Sequence, residues 1–256
     1  MKFLSAVNVH PLLSLHIIIY IYIYMNGLGS VKSSAQIKFG PKCCHNPPAF
    51  SSRGQESGEV VQIASLSSYV SGNLDSKIAV LLVSDIYGYE APKLSWFGGK
   101  LGFDRGGFDL WQLADKEQAV ELAKPVIQAL REKGISKIGS AGFCWGGKVV
   151  VELAKEAEIQ VAALVHPSFV TLDDIKEVKV PIAILSAELD AQNPPELIKE
   201  FDAALDANKV YHFVKIYPGV DHGWVIRYND DNAAEVKSAK EAQQDLVDWF
   251  RKAFSV

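Results

Sequence analysis

Three residues of this chain could do chemistry together. Cys144 sits in Ser140-Ala141-Gly142-Phe143-Cys144-Trp145-Gly146-Gly147. A strand-like segment, 135–141, leads into it and a helical pattern, 148–157, leads out. A strand, a tight glycine turn and a helix with one nucleophile at the apex is a known device for presenting a side chain, here with sulfur as the nucleophile. Glycines two before and two after Cys144 remove Cβ atoms where strand and helix must approach closely. At a helix start the dipole and free backbone N–H groups favour a thiolate. The Trp145 N–H would point at the oxygen of a bound acyl group.

Such a nucleophile needs a base and a carboxylate to orient it. The chain order in this arrangement is nucleophile, acid, histidine, each on a loop at the carboxyl end of a strand. Of six histidines, His212 and His222 lie beyond a plausible acid. His212 alternates with Val214 and Ile216 inside a strand pattern, which suggests packing. His222 follows that strand in Tyr217-Pro218-Gly219-Val220-Asp221-His222-Gly223, where a base belongs. Glu188 and Asp190, just past the strand 182–186, both qualify as the acid, with Asp190 further into the loop. Asp221 adjoins the base, and His166 ends its strand at the same face, either lining the pocket or serving structure alone.

The elements that must position these residues follow from hydropathy patterning. Segments 59–64 and 68–71 read as a hairpin, and 78–84 is a continuous apolar run typical of a strand buried on both faces. A helical pattern spans 116–133, with Pro125 inside it and Gly134 as its stop. Strands follow at 161–165, 182–186 and 211–217, with helices at 194–207 and 233–254. Strands alternating with helices predict an α/β fold: a mostly parallel sheet flanked by helices.

Composition bounds the rest. A chain of 256 residues, 48% hydrophobic and 22% charged, can bury one good-sized α/β core. A formal net charge of −4 gives no electrostatic case for nucleic acid. Three cysteines are too few for a disulfide scaffold and favour a reducing, cytoplasmic setting. Cys43-Cys44-His45 lacks a second ligand pair at finger-like spacing, so no metal is expected. Leu12 to Tyr24 reads LLSLHIIIYIYIY, which is short for a spanning helix. It is either a signal anchor, implying a membrane-anchored or secretory protein, or a segment outside the working protein. Residues 1–40 are accordingly read as an extension outside the fold, and 41–256 as a single domain.

Taken together, Gly142 to Gly147, Glu188-Leu189-Asp190 and Pro218 to Trp224 resemble the dienelactone hydrolase family of α/β-hydrolases. The likeness is strongest to its plant branch, whose members often carry the label endo-1,3;1,4-β-glucanase. Cys43 to Pro48, Ser84 to Pro92, His166-Pro167-Ser168-Phe169-Val170 and Trp224 to Tyr228 match that branch as well. The resemblance implies Cys144 as nucleophile, Asp190 as orienting acid and His222 as base, with the backbone N–H groups of Ile86 and Trp145 as oxyanion hole. Bacterial members carry a glutamate where Asp85 stands, contacting the resting thiol, and an arginine one residue before the position of Arg227 that helps hold an anionic substrate. The implied activity is hydrolysis of a small-molecule ester or lactone through a cysteinyl acyl-enzyme, without a cofactor and with no nucleic-acid or membrane partner. The plant label offers a glucan hydrolase instead, which would need two carboxyl groups flanking a sugar cleft. A catalytically impaired binding protein is a third reading. It is motivated by Ser95–Asp115, where the family's next helix and strand are missing. That stretch has five glycines and no four-residue apolar run, so it should hold no sheet strand. The strand 78–84 would then either expose an edge or pair with a shifted hairpin.

Overall fold

The computed structural model describes residues 17–21, 59–64, 66–72, 75–85 and 116–255. Among the described residues the framework is an eight-stranded sheet. The strands are β1 (Ile17–Ile21), β2 (Glu59–Ile63), β3 (Leu66–Gly72), β4 (Ile78–Val83), β5 (Lys137–Phe143), β6 (Val161–Val165), β7 (Ile182–Ala187) and β8 (His212–Tyr217). They lie in the order β2-β3-β1-β4-β5-β6-β7-β8. β3 runs antiparallel to both β2 and β1, and every other neighbouring pair is parallel.

Parallel strands joined by helices are covered on both faces, and β4 shows the result. Its alternate residues Ala79, Leu81 and Val83 enter one apolar cluster, while Val80 and Leu82 enter the other. The first cluster is closed by α1 (Lys116–Glu132), α2 (Trp145–Lys155), α3 (Leu172–Lys176) and α4 (Pro195–Ala207). The second is closed by α5 (Ala233–Ala253), through Leu246, Trp249 and Phe250. Trp249 is buried there and donates its indole N–H to the carbonyl of Ala162 at 2.9 Å. Pro125 lies inside α1. The short helix α3 has no counterpart in the sequence reading. It is set by a capping box, in which Thr171 accepts from the N–H of Asp174 and the Asp174 carboxylate accepts from the N–H of Thr171.

Two expectations are corrected. Residues 1–40 do not stand wholly outside the fold, because Ile17–Ile21 forms β1 in the interior of the sheet. β4 neither exposes its edge nor pairs with the hairpin. It pairs in parallel with β1, Ile17 opposite Ala79 and Tyr20 opposite Leu82, while β3 takes the other side of β1. The physical reason is compositional. Ile17 to Ile21 reads IIIYI, a β-branched and aromatic run with high strand propensity, and it meets an apolar strand whose edge N–H and C=O groups need partners. The segment Ser95–Asp115, Ile86 and the trio Cys43 to His45 lie outside the described residues. Among the described residues, no helix is long and apolar enough to cross a membrane.

Candidate active site

The site is assembled at the carboxyl ends of β5, β6, β7 and β8. Cys144 follows β5 directly and is the N-cap of α2, with φ 55° and ψ −118°. Positive φ at a residue with a Cβ is strained, at a cost of about 1–3 kcal/mol, and persists only where the surroundings impose it. Here three backbone hydrogen bonds do so. The Cys144 N–H donates to Val165 O at 3.1 Å, and the Cys144 carbonyl accepts from Gly147 N at 3.0 Å and Ser168 N at 2.9 Å. The expected role of the glycines is met in detail. A Cβ on Gly142 would fall 2.1 Å from the Gly146 carbonyl oxygen, and one on Gly146 would fall 2.3 Å from Val83 O.

The helix behind the thiol suits an anion. The Cys144 side chain makes no cap hydrogen bond, and the first turn of α2 carries no acidic residue. The positive end of the helix dipole is therefore not neutralised from within the helix. Lys148, one turn along, is buried and ion-paired to Asp174 at 2.6 Å and Glu152 at 2.7 Å. Burial alone would raise the Asp174 carboxyl, but hydrogen bonds from Lys148 and Thr171 outweigh it and bring its pKa down to about 2. This pairing ties α2 to α3 and with it the loop that leads from β6 to α3.

Asp190 and His222, on the loops after β7 and β8, meet as the chain order requires. The Asp190 Oδ2 lies 2.6 Å from His222 Nδ1, and both side chains are buried. Its Oδ1 accepts from the N–H of Gln192 at 2.9 Å. A carboxylate only accepts, so Nδ1 carries the proton and Nε2 is the basic nitrogen. Of the two candidate acids, Asp190 is the one that reaches the His222 ring. Glu188 instead accepts from the N–H of Gly219 at 2.8 Å, joining the two loops. His212 is occupied elsewhere, with Nδ1 at 2.7 Å from Val210 O and Nε2 at 3.1 Å from Asp202 of α4. Asp221 is exposed.

Around the His222 ring stand His166, 4.8 Å away edge-on, and beyond it Trp224 and Phe143, at 5.8 Å and 6.0 Å from His166. His166 is fully buried, has φ 38°, and has neither ring nitrogen hydrogen-bonded. Burial first, then the neighbouring His222 and Arg227 charges, hold its pKa well below the ordinary histidine value, so it stays neutral. Asp85 and Arg227 are both buried and face each other, with Oδ2 to Nε at 3.4 Å. The guanidinium packs onto Gly223, which has φ 87° and whose Cβ position it would overlap. Sequence reasoning assigned no contact to Ser168, whose hydroxyl lies 3.3 Å from the Cys144 sulfur. Its only signal was membership of the His166 to Val170 stretch. Among the described residues, no group of three His, Cys, Asp or Glu side chains is placed to hold a metal ion.

A strained thiol at a helix start, with an imidazole oriented by a carboxylate at the same sheet end, can carry out acyl transfer. Residues 80–254 match the dienelactone hydrolase family. The chain belongs to the dienelactone hydrolase family. It is a hydrolase of that type with the α/β-hydrolase fold. A Zea mays protein named endo-1,3;1,4-beta-D-glucanase is 39% identical over 183 residues, 62% of this chain and 60% of the maize protein's length. A carboxymethylenebutenolidase homolog of Xenopus tropicalis is 28% identical over 224 residues, 76% of this chain and 90% of that protein. Among solved structures, a dienelactone hydrolase-like promiscuous phosphotriesterase from metagenomic libraries superposes with TM-score 0.55 at 15% identity, covering 78% of this chain and 99% of that one. A Pyrococcus furiosus esterase does so with TM-score 0.54 at 14% identity, covering 81% and 99%. Likenesses at such identities speak for the dienelactone hydrolase fold alone.

Proposed function

We propose that this member of the family hydrolyses a small carboxylic ester or lactone through a thioester on Cys144. His222 Nε2 takes the thiol proton, and the sulfur adds to the ester carbonyl. The developing oxyanion is met by the N–H of Trp145 at the start of α2. The alcohol leaves with the proton from His222, opening the ring if the substrate is a lactone. Water, deprotonated by the same nitrogen, then attacks the thioester and frees the carboxylic acid and the thiol. Asp190 holds the imidazole in the required tautomer and stabilises its cation.

The observation that carries this reading is the 2.6 Å contact of Asp190 with the nitrogen of His222 that faces away from catalysis. That contact leaves Nε2 as the nitrogen able to take a proton, which is what a general base requires. Arg227, neutralised by Asp85, contributes a fixed buried cation at the wall of the site. A small anionic acyl group would bind by sharing it. A glucan hydrolase needs two carboxyl groups facing a sugar, and Asp85 is committed to Arg227.

The test is turnover of an activated aryl ester by the purified chain and by Cys144→Ala. The expected result is hydrolysis by the first, none above background by the second, and a Cys144-containing peptide heavier by one acyl group on rapid quenching. Ester hydrolysis undiminished in Cys144→Ala, or release of sugar from mixed-linkage glucan without ester turnover, would overturn the proposal.

A further inference from the structure

The thiol of Cys144 has a partner that the family resemblance does not supply. Ser168 is fully buried and touches Cys144 twice. Its N–H donates to the Cys144 carbonyl at 2.9 Å, and its hydroxyl oxygen lies 3.3 Å from the sulfur. We propose that Ser168 sets the ionisation of the nucleophile, its hydroxyl donating to the Cys144 thiolate once His222 has taken the proton. This rests on Cys144 being the nucleophile of the proposed reaction.

The hydroxyl is held in place by a loop that is costly to shape. His166 and Phe169, on either side of Ser168, both have positive φ, 38° and 62°. Pro167 between them removes a backbone donor and packs against Gly147, where a Cβ would fall 2.9 Å from the proline Cβ. The Pro167 carbonyl accepts from the side chain of Asn193, and the His166 N–H donates to Leu185 O at 2.8 Å. Two strained residues in four, pinned by β7, by the loop after it and by α2, fix the backbone that carries the hydroxyl, and the Ser168 side chain is fully buried on it. Asp85, which stands where bacterial members carry the thiol's acidic partner, is ion-paired with Arg227.

The chemistry gives the direction. A neutral thiol can donate to a hydroxyl or accept from it, whereas a thiolate only accepts. Ionisation breaks the S–H bond, places the proton on His222 Nε2, and turns the Ser168 O–H toward sulfur. A hydrogen bond to the charged form favours that form and lowers the thiol pKa. It also draws charge from the sulfur, so each thiolate is less nucleophilic. Removing the hydroxyl should therefore move two quantities in opposite senses, which a merely structural serine would not do.

The experiment uses the full chain with Cys43 and Cys44 replaced by serine, so that Cys144 is the one thiol. Ionisation is read from ultraviolet thiolate absorbance against pH, without substrate. Ser168→Ala should raise the thiol pKa by about one unit, and Ser168→Thr, which keeps a hydroxyl, should leave it near the parent value. Alkylation by iodoacetamide should be about threefold slower at neutral pH in Ser168→Ala. Above both pKa values it should be about threefold faster, the two profiles crossing. If Ser168→Ala does not fold, Ser168→Thr against its isostere Ser168→Val makes the same comparison. A thiol pKa unmoved by loss of the hydroxyl, or parallel alkylation profiles, would overturn the proposal. Absence of ester turnover in the parent chain would sink the proposed function but leave this titration standing, so the two failures are distinct.

Discussion

Gly146→Ala tests how tightly the elbow is closed on the sheet. A methyl group there would fall 2.3 Å from the carbonyl oxygen of Val83 and 2.7 Å from that of Ser84. Both obstacles are backbone at the end of β4, so no side chain can swing aside. A carbon–oxygen contact is comfortable only near about 3.3 Å, and the start of α2 must move from β4 by about 1 Å. Overpacking of this kind costs about 1–3 kcal/mol, which for a domain of this size lowers Tm by about 2–10 °C. The same shift moves Cys144, two residues away, against an imidazole fixed by Asp190. Misplacement by about 1 Å costs about a hundredfold in rate. The assay is a thermal melt with kcat/KM on the aryl ester, and Gly219→Ala is the control. Gly219 has φ 66° but nothing within 4 Å of its Cβ position, so that variant loses about 1–2 kcal/mol of stability with kcat/KM unchanged. A Gly146→Ala chain with parental Tm and activity within twofold would refute the close approach of α2 to β4.

His222→Ala should abolish ester turnover while His212→Ala retains it, and Asp190→Asn should lose far more than Glu188→Gln. The reverse pattern in either pair would show the wrong base or acid. Removing residues 1–24, or introducing Ile19→Pro, deletes or breaks β1, whose residues form five register pairs with β3 and four with β4. At about 1 kcal/mol net per hydrogen bond this loss rivals a whole domain's stability of about 5–15 kcal/mol. The expected product is insoluble or melts without cooperativity, and a soluble chain with an unchanged melt would remove β1 from the sheet. His166, held neutral in the fold, leaves the unfolded chain binding more protons once pH drops below about 6.5. Stability should then fall by up to about 1.4 kcal/mol per pH unit as the solution is acidified. Urea midpoints at pH 7 and pH 5.5 should separate less in His166→Asn, which tolerates the left-handed backbone, than in the parent chain. An equal separation would count against the buried neutral imidazole.

The elbow was legible in the sequence because its information is local. Gly142, Cys144 and Gly146 are neighbours in the chain, and the close approaches that demand glycine occur between residues a few positions apart or at the adjoining strand. Alternation and apolar runs likewise marked β4 to β8, since a strand buried on both faces leaves its mark on each of its own residues. His222 could be preferred to His212 by its place after a strand rather than within one. The acid was open between Glu188 and Asp190 on residue type alone. What separates them is which carboxylate the returning loop after β8 brings to His222 Nδ1 and which to the N–H of Gly219, 32 and 31 residues away in the chain.

Other features were decided only by the assembled molecule. Asp85 and Arg227 lie far apart in the chain, and only the fold joins them in one buried ion pair, because burying either charge alone is far costlier than burying both together. Ser168 carried no local sign of its contact with the sulfur, which lies 24 residues away in the chain. The largest departure is at β1. Read along the chain, Ile17 to Ile21 is a short apolar run remote from the domain. The sheet gives it a place because β3 and β4 both have strand edges to satisfy, and a β-branched segment can pair with both at once. Hydrophobic pattern told which segments could be strands. Which strands lie side by side depends on unmet hydrogen bonds that exist only once the rest of the sheet has formed.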